Sequence, residues 1–226
     1  SMAANISAST RKAKLFFIFT SYANRQLILS YFIIFNYTNI IDSIVAKITK
    51  GSGADKNSKL LVLSEVKNLL KMLEDSFILT SMDIDDYEKR TPLENIGLHK
   101  KYYFTDNGIR FINCKNNLKM MGNCLENAVY LQLTSRGITP TGLLFLNEDN
   151  SIKSDIDFCY LEKGNKIAMQ VAHTLNSGDS VREIDNLIDY CKDYTKKLVY
   201  FINLIDSKKE NIEYLEGKEF FITNND

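Results

Sequence analysis

Between Lys119 and Thr174 the chain sets out one helix and two strands in an order that few folds accommodate. They carry Glu126 in GNCLENAVYLQLTSRG, Asp157 in SDIDFCYLEKG and Gln170 in NKIAMQVAHT. Val129, Tyr130 and Leu133 follow Glu126 at three-, four- and seven-residue steps, so the acid borders the helix face that packs on a sheet. Gly137 stands where a helix over Lys119–Arg136 would close. In a strand alternate residues share a face, which groups Asp155, Asp157 and Cys159, and on the next strand Ala168, Gln170, Ala172 and Thr174. A hairpin turn over Glu162–Asn165 then sets Asp157 beside Gln170 at one edge of the sheet. A carboxylate next to an apolar face is costly without a partner or a metal.

The surrounding periodicities predict strands over Pro140–Asn147, Asp155–Leu161 and Lys166–Leu175. A helix over Ser180–Tyr194, a strand over Lys197–Leu204 and two short elements within Ile212–Thr223 follow. The sum is an α/β (α+β) core in the order αβββαβ. Upstream, Ser64 caps a helix whose apolar stripe is Val66, Leu69, Leu70, Leu73 and Phe77. A short strand at Phe77–Leu79, a polar excursion from Asp83 to Leu98 and a strand at Tyr102–Phe104 complete a winged-helix-like pattern. The expected organisation is an apolar helical segment and linker over 1–59, a winged-helix-like element over 60–101 and the core over 102–226.

Lys plus Arg and Asp plus Glu both number 28, so no global charge advertises nucleic acid or a cationic partner. Any DNA contact must come from a local patch, for which Lys100, Lys101, Arg110, Lys115, Lys119 and Arg136 are the candidates. The four cysteines form no CxxC pair and only two histidines accompany them, which disfavours a zinc site or a secreted disulfide framework and predicts a cytoplasmic protein. The longest uncharged run, Gln26 to Ile41, is shorter and more polar than the roughly 20 apolar residues of a membrane span. KGSGADKNSK at 50–59 is a linker, and GxxxxGK[ST] is absent, so no ATP site is expected.

Magnesium or manganese takes one or two carboxylates, a neutral oxygen and several waters, a set that Glu126, Asp157 and the amide oxygen of Gln170 would supply. A lysine two positions after the third ligand would help position water and stabilise developing charge, but that position is Ala172. Lys153, Lys166 or Lys192 would have to replace it. Simpler roles stand beside these: Glu126 solvated or ion-paired, Asp155 and Asp157 facing water, His173 packed in its strand, and Arg182 with Glu183 as a local ion pair.

KYYFTDNGIR, GNCLENAVYLQLTSRG, DIDFCYL, IAMQVAHTL, SVREIDNL and KKLVYFI, in that order, resemble the C-terminal domain of uncharacterised function in a family of bacterial and archaeal AAA-type ATPases. The resemblance covers about Leu61 onward. It implies a restriction-endonuclease-like fold behind a winged-helix element, with Glu126 and Asp157 on the acidic positions and Gln170 on the third. The usual pattern is Asp, then Asp or Glu, a spacer and Lys, and the departure at Ala172 implies lost or altered catalysis. Walker motifs are absent, so ATP hydrolysis does not carry over, and either a cut-down or a naturally shortened chain is expected. Three functions follow as expectations: a catalytically degenerate module binding DNA or an ATPase partner, an active Mg- or Mn-dependent deoxyribonuclease, or a homo-oligomeric structural module.

Overall fold

A computed structural model describes residues 67–68, 70–86, 100–108, 121–149, 152–175, 179–202 and 208–222. The expected linker and N-terminal helices, most of the polar excursion, and Arg110, Lys115 and Lys119 lie outside them. The strands are β1 (Leu79–Asp86), β2 (Lys100–Phe104), β3 (Thr141–Leu146), β4 (Ile152–Glu162), β5 (Asn165–Thr174), β6 (Thr195–Ile202) and β7 (Ile212–Glu216). The helices are α1 (Met121–Ser135), α2 (Asp179–Tyr190) and α3 (Gly217–Ile222). From α1 to β6 the order is αβββαβ, as the periodicities predict.

All seven strands join one mixed sheet in the order β2-β1-β3-β4-β5-β6-β7. β3, β4 and β5 form an antiparallel meander, and α2 carries the chain over to β6, parallel to β5. The β4–β5 turn has positive φ at Lys163 (49°) and Gly164 (84°), which matches the right-handed twist of its flanking strands. Gly137, at φ 76°, ends α1 with Gly137 N donating to Thr134 O and Ile138 N to Leu133 O.

The strand expected at Phe77–Leu79 instead begins at Leu79 and runs to Asp86. It pairs antiparallel with β2 and parallel with β3, so the hairpin expected in a winged-helix-like element continues the main sheet. The boundary expected between 101 and 102 falls inside β2. Phe77, expected in an apolar stripe, is 82% exposed. The reason is local: Phe77 N donates to Glu74 O and Ile78 N to Leu73 O, and this helix-ending motif puts Phe77 at φ 54°, turned off the buried stripe.

Two apolar layers cover the sheet. On one face Val129, Tyr130 and Leu133 of α1 and Phe220 of α3 pack with Tyr103, Phe158, Tyr160, Ile167 and Met169. On the other, Ile184 and Leu187 of α2 pack with Ile156, Cys159, Ala168, Ala172 and Leu198. Burying each large side chain of this kind stabilises the fold by roughly 1.5–3 kcal/mol. Among the described residues no helix is long and apolar enough to cross a membrane.

Candidate functional site

Regular alternation would place Ile156 and Phe158 on one face of β4, yet Ile156 packs in the α2 layer and Phe158 in the α1 layer. The register explains it. Thr141 pairs with Cys159 and Leu143 with Ile156, so three steps along β4 match two along β3 and one residue is extra. The bulge falls at Asp157–Phe158 opposite Gly142, where an added Cβ would lie 3.2 Å from Met82 Cε. Bulges re-aim side chains, and this one frees Asp157 from the face it would share with Cys159. The face assignment drawn from strict alternation is therefore corrected for Asp157.

The re-aimed carboxylate meets a side chain from the far end of the sheet. Lys101 Nζ stands 3.2 Å from Asp157 Oδ1 and 2.5 Å from Glu126 Oε1. The other oxygen of Asp157 accepts a 3.0 Å bond from Val171 N. Tyr103, two residues beyond Lys101 on the same buried face of β2, donates from its hydroxyl to Glu126 Oε1 at 2.8 Å. Tyr103 is held by stacking on Tyr130 of α1, with ring centres 4.1 Å apart. Asn127 pins the two elements together: its Oδ1 accepts from Phe104 N at 2.7 Å and its Nδ2 donates to Phe104 O at 2.9 Å.

All of these groups are buried: Lys101 is 3% exposed, and Glu126 and Asp157 are each 8%. Burial alone would lower the pKa of Lys101, but Glu126 and Asp157 outweigh it and hold the amine well above its ordinary value, hence charged. Asp157 is raised well above the carboxylate range by burial and by Glu126, against the pull of Lys101. Both directions have one origin. Two carboxylates and one ammonium sum to −1 when fully ionised, and a dry site resists that charge by keeping its protons.

Gln170 does not join this group as an oxygen ligand. Its Oε1 accepts from Asp157 N at 2.6 Å, and its Nε2 donates to Asp155 O at 3.1 Å and to Glu183 Oε2 of α2. It is fully buried, bracing the bulge from the α2 side, because β5 keeps its alternation where β4 loses it. Asn186 also donates to Asp155 O, at 3.4 Å. Asp155 is pushed up to about 7 by burial and by Glu183, with Arg182 opposing, and burial raises Glu183 too. Arg182 and Glu183 do form the expected local pair, at 3.3 Å.

One member of the expected basic patch is buried, and a second is tied to a neighbouring helix. Lys101 is the buried ammonium, and Arg136 Nη2 donates to Phe220 O at 2.6 Å while its guanidinium lies 4.7 Å over the Phe220 ring. Lys100 donates to Ser81 Oγ at 3.2 Å. Of the expected replacements Lys153, Lys166 and Lys192, Lys153 lies over the Tyr190 ring; the lysine that reaches the carboxylates is Lys101, expected in the surface patch. The signal available for Lys101 was its position two residues before Tyr103 in a strand with a buried alternate face. Asn127 had no comparable signal beyond its place beside Glu126.

A divalent cation does not fit this arrangement as it stands, because the ammonium holds the place between the two carboxylates and the amide of Gln170 is committed elsewhere. Among the described residues no cluster of three or more His, Cys, Asp or Glu side chains is set to hold a metal ion. Comparison with family models, with curated proteins and with solved structures gives no match to this chain.

Proposed function

We propose that this chain is a restriction-endonuclease-like domain whose hydrolytic site has been converted into a closed ion pair, and that it acts as a binding or regulatory module. The observation that carries the reading is Lys101 Nζ seated between Glu126 and Asp157, where a nuclease core of this pattern would need its metal. The αβββαβ order with Glu126 on the helix and Asp157 and Gln170 on successive strands supports the fold assignment, and Ala172 in the lysine position supports the loss of hydrolysis. Of the two partner classes expected, a protein such as an ATPase is favoured over DNA. The burial of Lys101, and the tie of the half-buried Arg136 to Phe220, leave less of the basic patch that phosphate contacts require.

The test is cleavage of labelled single-stranded, duplex and branched DNA with magnesium and then manganese, beside Asp157→Asn. No cleavage by either protein is expected. Cleavage by the wild type that disappears in Asp157→Asn overturns the proposal. It would establish the second reading, an active Mg- or Mn-dependent deoxyribonuclease, which one observation favours: Lys101 is a lysine in contact with both acids, the group that position 172 lacks. Tight duplex binding by anisotropy at physiological salt would reverse the choice of partner.

A further inference from the structure

The two carboxylates and the ammonium define a place for a cation that the chain fills from within. Glu126 comes from α1 and Asp157 from the bulge in β4, both inside the αβββαβ core, whereas Lys101 comes from β2, two strands beyond β3 in the sheet. The acids are thus set by the core and the cation is delivered by an added hairpin. A divalent ion beside the ammonium would crowd two cations into a space where Nζ already lies 2.5 and 3.2 Å from the two oxygens. Without the ammonium, the same ion would bring the two carboxylates to zero. Ligand distances near 2.1 Å would then require each carboxylate to close by only about an ångström or less, with waters completing the shell.

We infer that Lys101 is a tethered substitute for a divalent cation, and that Glu126 and Asp157 form a latent metal site which opens to Mg²⁺ or Mn²⁺ when that side chain is replaced by an uncharged one. The inference rests on the closed-ion-pair reading given above. It assigns Lys101 a role in ion exclusion beyond its contribution to packing. A lysine that merely braced the hairpin would leave the protein equally indifferent to metal with or without it.

The experiment compares wild type, Lys101→Met and Lys101→Met/Asp157→Asn, each titrated with Mn²⁺ while thermal unfolding and water-proton relaxation are followed. The wild type is expected to show no Mn²⁺-dependent rise in Tm. Lys101→Met should start from a lower Tm, recover several degrees with Mn²⁺, and bind the ion at least an order of magnitude more tightly than the wild type. The double variant should lose that affinity. If Lys101→Met does not fold alone, it is refolded from denaturant in Mn²⁺, and failure there overturns the inference, as does a Lys101→Met protein that folds and ignores the ion. Tight Mn²⁺ binding by the wild type that Asp157→Asn abolishes overturns it as well. DNA cleavage by the wild type strikes the non-hydrolytic reading, whereas an indifferent Lys101→Met beside an inactive wild type strikes only this inference.

Discussion

Asp155 and Asp157 are two residues apart on one strand, both set in the interior of the sheet, and their charges are handled in opposite ways. Around Asp157 the solution is ionic, with a buried ammonium between two carboxylates and a tyrosine hydroxyl on one of them. Around Asp155 the backbone is held by amides, Gln170 and Asn186 donating to its carbonyl and Gln170 also reaching Glu183, while the opposing cation, Arg182, has a side chain 64% exposed. The buried ammonium is itself held charged, well above its ordinary value. Burial, with Glu183 nearby and an exposed arginine opposing, raises the Asp155 carboxyl to about 7. The difference separates a locked charge from an adjustable one within a single strand.

Removing the lock should have the largest effect. Lys101→Met leaves Glu126 and Asp157 buried without their cation, and breaking a buried pair in this way costs about 3–5 kcal/mol. Urea unfolding at pH 7 measures the loss.

The adjustable side is read by pH. The folded pKa of Asp155 lies above its unfolded value, so its contribution to stability is fully present below about pH 4 and is lost as pH rises through about 7. Asp155→Asn should remove on the order of 2 kcal/mol of the decline between pH 5 and pH 8, read from urea midpoints. An unchanged slope would deny that Asp155 titrates in the folded state.

Asn127 sharpens the comparison from the structural side. Asn127→Ala strands the N–H and C=O of Phe104 and should cost about 1–3 kcal/mol in urea unfolding. It should also weaken the hold of α1 on the strand that carries Lys101. Smallest is Arg182→Ala, worth about 0–1 kcal/mol because the guanidinium is largely solvated. Its informative readout is the Asp155 titration followed by NMR, which should move further upward once the opposing charge is gone.

The meander was legible because its periods and its turn are local. With Glu162 paired to Asn165, hairpin arithmetic carries Asp157 to Gln170 whatever else the chain does. The fate of Gln170 was not legible, because one extra residue in β4 turns its neighbour Asp157 away while β5 stays regular, and no pattern in SDIDFCYL announces that bulge. Lys101 was hidden by distance. It stands 56 positions before Asp157 and belongs to a five-residue strand whose place in the sheet depends on β1 pairing parallel to β3. The one local signal, its place two residues before Tyr103, does not say which face of β2 is buried, so the side chain expected in a patch is the centre of the site.

Among the described residues β2 is the outermost strand on its side of the sheet and has β1 as its ladder partner. Edge strands fray first, and amide exchange ordinarily reports them as the least protected part of a sheet. Here fraying must pull an ammonium out of a dry site and leave two acids behind, so the electrostatics of the interior act as a latch on the periphery. Protection of the β2 amides should therefore exceed what one neighbouring strand supplies, and should fall as soon as the latch is neutralised.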